Sequence, residues 1–186
     1  MVKIAWGITG CGDKIEEIAH MMVDLKKQYN INVDIYISKN AKMVLKLYKL
    51  WQMLEDEFYD IRVEVDSNSP FLVGKLQTGH YDMFLVAPVT ANSTAKIAYG
   101  IADTLITNSV SQAAKARLPI YLYPPDNKPG HLETILPGGK NLTLYIRDVD
   151  VENVNRIRNM DSITVLDDVA GIKKVIEDYI KAHPGA

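Results

Sequence analysis

Three short segments gather the glycines and polar side chains from which a binding site is built. "WGITGCGDK" begins at Trp6 and places Gly7, Gly10 and Gly12 within six residues. "ISKNA" places Ser38, Lys39 and Asn40 after a second apolar run. "APVTANSTAK" places Thr90, Asn92, Ser93 and Thr94 after the most apolar run in the chain, which Pro88 stops. Each segment stands where a strand should give way to a helix. At such a turn the first helical N–H groups lack internal partners, and the helix dipole favours negative charge. Glycines let the backbone come close to an anion. Anion binding, with hydrogen bonding to a polar ligand edge, is therefore the chemistry on offer.

The spacing narrows the anion. A dinucleotide fold shows G-x-G-x-x-G and ends its second strand in an acid for the ribose hydroxyls. Here the pattern is G-x-x-G-x-G, Ile15 falls where a third glycine would follow, and the second strand ends in Ser38. Hydroxyl, ammonium and amide groups suit a phosphate better than a ribose diol. Neighbouring turns carrying Thr9, Gly10, Cys11, Gly12, Ser38 and Lys39 fit a terminal monophosphate such as that of FMN. Pro88, Thr90, Ala91, Asn92 and Thr94 would then line the ribityl chain and the hydrogen-bonding edge of the ring. Asn92 is the candidate for touching a bound substrate. The plainer alternatives are a ligand-free glycine turn and a polar cluster that only caps the next helix. The nucleoside triphosphate pattern G-x-x-x-x-G-K-[ST] is absent.

Other reactive types are thinly spread. Cys11 is the one cysteine, so no internal disulfide forms and no C-x-x-C metal pair exists. A helix start can activate a thiol, but a small side chain beside the phosphate is the simpler role. His20, His80, His131 and His183 have no partners at metal-ligand spacing. Asp13 should cap the first helix, with Glu16 completing a capping box. Asp167 and Asp168 read as a cap for the last helix. Tyr121 and Tyr123 lie at opposite phase to Leu122, so one of them is placed to approach the ligand crevice, with core packing as the alternative.

The elements that must hold these groups follow from periodicity. "VKIAWGI", "VDIYIS", "IRVEV", "YDMFLVAP" and "LPIYLY" read as buried strands. Helices are expected over 14–29, from Lys39 to about Leu54, through "TANSTAK" to about Ala116, over "DVENVNRIRNM", and from Asp168 to His183. "PPDNKPGHLETILPGG" reads as a long loop, followed by the strands "NLTLYIR" and "ITVL". Alternating strands and helices imply a three-layer α/β domain, a Rossmann- or flavodoxin-like parallel sheet with helices on both faces. One FMN-binding domain over residues 1–186 is expected. The formal charge is −2 and 47% of residues are apolar. No basic face addresses nucleic acid, no run approaches a membrane span, and no signal pattern appears. Together with the single cysteine, this points to a cytoplasmic protein.

"PVTANSTAKIAYGIADTLIT" resembles the P-A-S-A-N-T-x-A-K-x-A-x-G-x-A-D-x-L segment of the homo-oligomeric flavin-containing cysteine decarboxylase superfamily. The likeness runs through Pro88, Ala91, Asn92, Ala95, Lys96, Ala98, Gly100, Ala102, Asp103 and Leu105, with Thr90 and Ser93 as conservative stand-ins. "GITGCG" resembles the superfamily's first FMN loop, with Cys11 where serine is common. "ISKNA" resembles its second phosphate turn, carrying over Ser38, Lys39 and Ala41. The decarboxylase members place a catalytic His before strand four, but His80 stands too close to Asp82 to match. "YPPDNKPG" reads as having no Met, Asn or Trp in register with their P-x-M-N-x-x-M-W clasp. The pattern is more similar to the archaeal branch, which holds archaeoflavoproteins and acceptor-linked dihydromethanopterin reductases. That resemblance implies non-covalent FMN, redox chemistry, and trimer-based homo-oligomers with FMN near a subunit interface. It also implies a ferredoxin or other redox protein as donor, and a protein or pterin as acceptor. A cysteine decarboxylase or flavin prenyltransferase-like enzyme is the alternative.

Overall fold

A computed structural model describes residues 1–184. Its main sheet has six strands: β1 (Val2–Ile8), β2 (Ile31–Ile37), β3 (Ile61–Val63), β4 (Met83–Val86), β5 (Ile120–Leu122) and β8 (Ile163–Val165). Every pair is parallel, and the order is β3-β2-β1-β4-β5-β8. That is the Rossmann order, 3-2-1-4-5-6 when the sheet strands are counted along the chain. The order reverses between β1 and β4, so the crevice for a ligand opens where these two strands end.

The sheet is covered on both faces. On one side α1 (Ile15–Gln28), α2 (Lys39–Leu47), α3 (Trp51–Glu57) and α8 (Val169–Ala182) bury Ile18, Met22, Leu45, Leu54 and Ile176 around Trp6. On the other, α4 (Val73–Gln77), α5 (Ala91–Ala98), α6 (Leu105–Lys115) and α7 (Asp148–Arg158) pack around Phe84 and Val86, burying Leu76, Ile106, Val110 and Ile157. Trp6 is fully buried, and its indole N–H donates to the Ala87 carbonyl at 2.8 Å, fixing the end of β4 against β1. Tyr121 and Tyr123 both pack into the Trp6 side, so neither reaches the crevice between β1 and β4 as a free side chain.

Two expected helices are broken. α5 ends at Tyr99 in a Schellman motif: Gly100, at φ 72°, donates to the Ile97 carbonyl and Ile101 donates to Lys96. α6 then starts afresh from a Thr104–Thr107 capping box. The same motif ends α2, but with Lys49 at φ 58° in the left-handed position where glycine is usual. A third difference is the proline-rich segment. β6 (Gly130–Ile135) pairs antiparallel with β7 (Asn141–Ile146) to form a hairpin apart from the main sheet. The Tyr48 hydroxyl donates to the Ile135 carbonyl at 3.0 Å and ties the hairpin to α2.

The first helix also enters differently. Asp13 does not cap it; Lys14 occupies the cap position at φ 60° with no side-chain bond. Left-handed backbone at Lys14 turns the Asp13 carboxylate toward the Cys11 thiol, 3.7 Å away. Asp168 does cap α8, accepting from the Gly171 N–H at 2.8 Å.

Candidate functional site

The three glycines of the opening segment have different work. A Cβ on Gly7 would stand 3.1 Å from the Ile106 Cδ1 and 3.2 Å from the Phe84 ring, so Gly7 lets α6 lie close over β1. A Cβ on Gly10 would stand 2.8 Å from the Asn40 Cβ, and one on Gly12 2.7 Å from the Tyr48 hydroxyl. Gly10 and Gly12 thus let the first loop press against both ends of α2. Among the described residues, the backbone N–H groups of Gly10 and Gly12 have no acceptor. Unpaired amides in a close-packed loop are what an anion seat requires.

The loop after β4 is locked to the loop after β1 by one side chain. Thr9 is buried, its hydroxyl donates to the Pro88 carbonyl at 3.0 Å, and the same oxygen accepts from the Thr90 N–H at 2.8 Å. The Ala87–Pro88 peptide is cis. Thr90 caps α5, accepting from the Ser93 N–H at 3.1 Å. These bonds hold two adjacent strand ends as one rim.

Between them lies a cleft of about 410 Å³. Thr9, Gly10, Ser38, Lys39, Thr90 and Asn92 line it, which brings together residues from all three segments. Asn92 is exposed at the mouth. Ser38 caps α2 through the Ala41 N–H at 3.2 Å, so its hydroxyl proton is left to donate into the cleft. The other expected residues lie behind this wall. Ala41 is buried with its amide spent on Ser38. The Thr94 hydroxyl turns back to the Thr90 carbonyl at 3.0 Å. Pro88 is buried, Ala91 half-buried at the start of α5, and Gly12 faces an adjoining pocket beneath the hairpin.

The surroundings of Cys11 disfavour its thiolate. It is 8% exposed, and burial, reinforced by the Asp13 carboxylate, pushes its thiol up to about 12. His80 is exposed on a turn and meets the Tyr81 ring edge-on. The expectation that the decarboxylase clasp's asparagine is missing needs correcting: counted from Pro124, Asn127 stands at its position. It is buried, and its amide donates to the Asp167 carbonyl at 3.0 Å.

The cleft also contains Ser93 and Asp103, both in the segment already singled out, and Glu64, Thr104 and Ile106, which sequence reasoning passed over. Glu64 carried a readable signal, since it follows a strand at the carboxyl edge of the sheet. Thr104 and Ile106 became visible only with the break at Gly100.

Comparison with known proteins decides the family. Residues 1–184 match the model of the family described as Flavoprotein. The chain belongs to the Flavoprotein family. An uncharacterized protein of Methanocaldococcus jannaschii is 70% identical to this flavoprotein over 97% of each chain. The dihydromethanopterin reductase (acceptor) of Methanosarcina mazei is 40% identical over 67% of this chain and 55% of its own length. The chain thus spans little more than half of that curated relative. The crystal structure of Burkholderia xenovorans DmrB with FMN, described as a cubic protein cage for redox transfer, superimposes with a TM-score of 0.82. It is 28% identical over 97% of this flavoprotein and 96% of DmrB. No helix among the described residues is long and apolar enough to cross a membrane.

Proposed function

We propose that this chain binds FMN non-covalently in the cleft between the first and fourth strand ends and acts as an oxidoreductase. In this reading it takes electrons from a ferredoxin-like donor and passes them to a protein or pterin acceptor. One observation carries the placement: the unpaired Gly10 amide meets Ser38 and Lys39 at the crevice whose other wall is Thr90 and Asn92. FMN bound there supplies the redox chemistry. The chain's residues bind and orient it. The Gly10 amide, the Ser38 hydroxyl and the Lys39 ammonium would hold the phosphate, and Thr90 and Asn92 would face the polar ring edge.

Two features support the partners. Ile106 is the one large apolar side chain lining the cleft, so within a single chain the faces of a flavin ring lack apolar cover. A second copy supplies that cover in a trimer-based homo-oligomer with FMN near the subunit interface. Lys39, Lys42, Lys46 and Lys49 of α2 and its end have no carboxylate partner among the described residues, and Met43 and Leu47 are exposed beside them. A basic face with apolar spots, adjoining the cleft through Lys39, suits an acidic redox protein.

The decarboxylase or prenyltransferase reading has no side chain to support it at His80 or Asn127. The deciding experiment is anaerobic. The yellow protein is reduced with ferredoxin, and dihydropterin or a candidate acceptor protein is then added. Reduction by ferredoxin followed by reoxidation on adding the acceptor is expected. Failure to take up FMN at all would overturn the reading.

A further inference from the structure

Glu64 follows β3 directly and bridges two helix starts with one carboxylate. Its Oε2 accepts from the Lys39 N–H at 3.1 Å, and its Oε1 from the Leu105 N–H at 2.8 Å. Lys39 and Leu105 are the first residues of α2 and α6. The third amides of the same helices, those of Ala41 and Thr107, are taken by the Ser38 and Thr104 hydroxyls. Each helix start carries partial positive charge that draws anions. Glu64 satisfies both from within the protein, and it lines the cleft while doing so.

The cleft is therefore lopsided. At its β1 end the Gly10 amide is unpaired. At its β3 end two helix starts converge, but a carboxylate already occupies the point between them. Asp103 at the rim is paired with Lys96 at 2.8 Å, so the Glu64 charge is the unneutralised one facing that end. A single terminal phosphate seated on the Gly10 amide and the Ser38 hydroxyl leaves the Lys39 and Leu105 amides to Glu64. A diphosphate brings further negative charge into a cleft whose second anion seat is already taken.

We propose that Glu64 is a specificity-determining residue. It fills the second anion seat of the cleft, so that a flavin with a single terminal phosphate is taken and a dinucleotide flavin is refused. This rests on the cleft being the FMN site, and the test separates the two. Inorganic phosphate is titrated into the apoprotein while backbone amide resonances are followed. In the unaltered protein, Gly10 should shift while Leu105 stays fixed. In Glu64→Ala, Leu105 should shift as well. The ratio of the FAD to the FMN dissociation constant should fall by about tenfold or more, as expected when a charge-assisted competitor is removed. Glu64→Gln, which accepts through one oxygen only, should fall between. Movement of Leu105 in the unaltered protein would overturn the proposal, and that measurement needs no variant. So would an unchanged FAD to FMN ratio in Glu64→Ala. Silence at Gly10, with Leu105 moving in Glu64→Ala alone, would refute the FMN placement and uphold the role of Glu64.

Discussion

Replacing Thr9 with valine should loosen the whole rim of the cleft. Thr9 is 2% exposed, and its hydroxyl serves the Pro88 carbonyl and the Thr90 N–H together. Valine keeps the volume and removes both bonds. The Thr90 N–H is then half-buried without an acceptor, which costs about 1–3 kcal/mol. Pro88 keeps the Thr9 backbone N–H at 3.3 Å, so its carbonyl loses one donor of two and about 1 kcal/mol. The expected loss is about 2–4 kcal/mol, read from urea midpoints of the apoprotein. Thr9→Ser is the control. It keeps the hydroxyl and removes one methyl, for about 1 kcal/mol. FMN affinity, read from flavin fluorescence quenching, should fall in Thr9→Val and hold in Thr9→Ser. Equal losses in the two variants would show that packing, not the bridging hydroxyl, joins the loops.

Three further outcomes follow from single residues. Asp34 is held below the usual carboxylate range: burial raises it, but hydrogen bonds from Tyr81 and Arg62 outweigh burial. A depressed folded value gives stability above the unfolded value of about 3.9 that is lost as pH falls through the folded one. Asp34→Asn should therefore cost about 1–3 kcal/mol at pH 7, discounted for partial exposure, with the gap to the parent closing below about pH 4. Cys11 should resist iodoacetamide in the native state, because a thiol near 12 is ionised to only about one part in ten thousand at pH 8; rapid native alkylation would contradict its buried, neutral placement. Lys49→Gly should raise the urea midpoint by about 1 kcal/mol of stability, since only Lys49 in that Schellman turn carries the left-handed strain.

Much of this was legible in the chain because parallel strands buried on both faces read as unbroken apolar runs. "YDMFLVAP" and "VKIAWGI" announce themselves that way. The misreadings have local causes. Gly100 is a visible helix stop, yet the apolar period runs through it from Ile97 to Ile106 and hides the break. Lys49 stops α2 without a glycine to mark it. "GHLETI" alternates as a strand should, but the prolines and glycines around it conceal a hairpin. Asp13 has the right type and spacing for a cap, and only the left-handed Lys14 backbone turns it away. In the site, the glycine loop, Ser38, Lys39, Thr90 and Asn92 were readable from type and place. Glu64 was readable by place alone, after β3, but its bonds to Lys39 and Leu105 were not, because they depend on two helices from opposite faces of the sheet converging over one crevice.

The central claim is that a phosphate sits between the first loop and the start of α2. Ser38→Asp tests it with little else disturbed, because aspartate caps a helix as well as serine does. A new negative charge about 4 Å from the phosphate opposes it by roughly 4 kcal/mol at an effective dielectric of 20. FMN affinity should then fall by at least about 100-fold while riboflavin, which has no phosphate, binds as before. Equal affinities for FMN in the two proteins, or equal losses for FMN and riboflavin, would contradict the account.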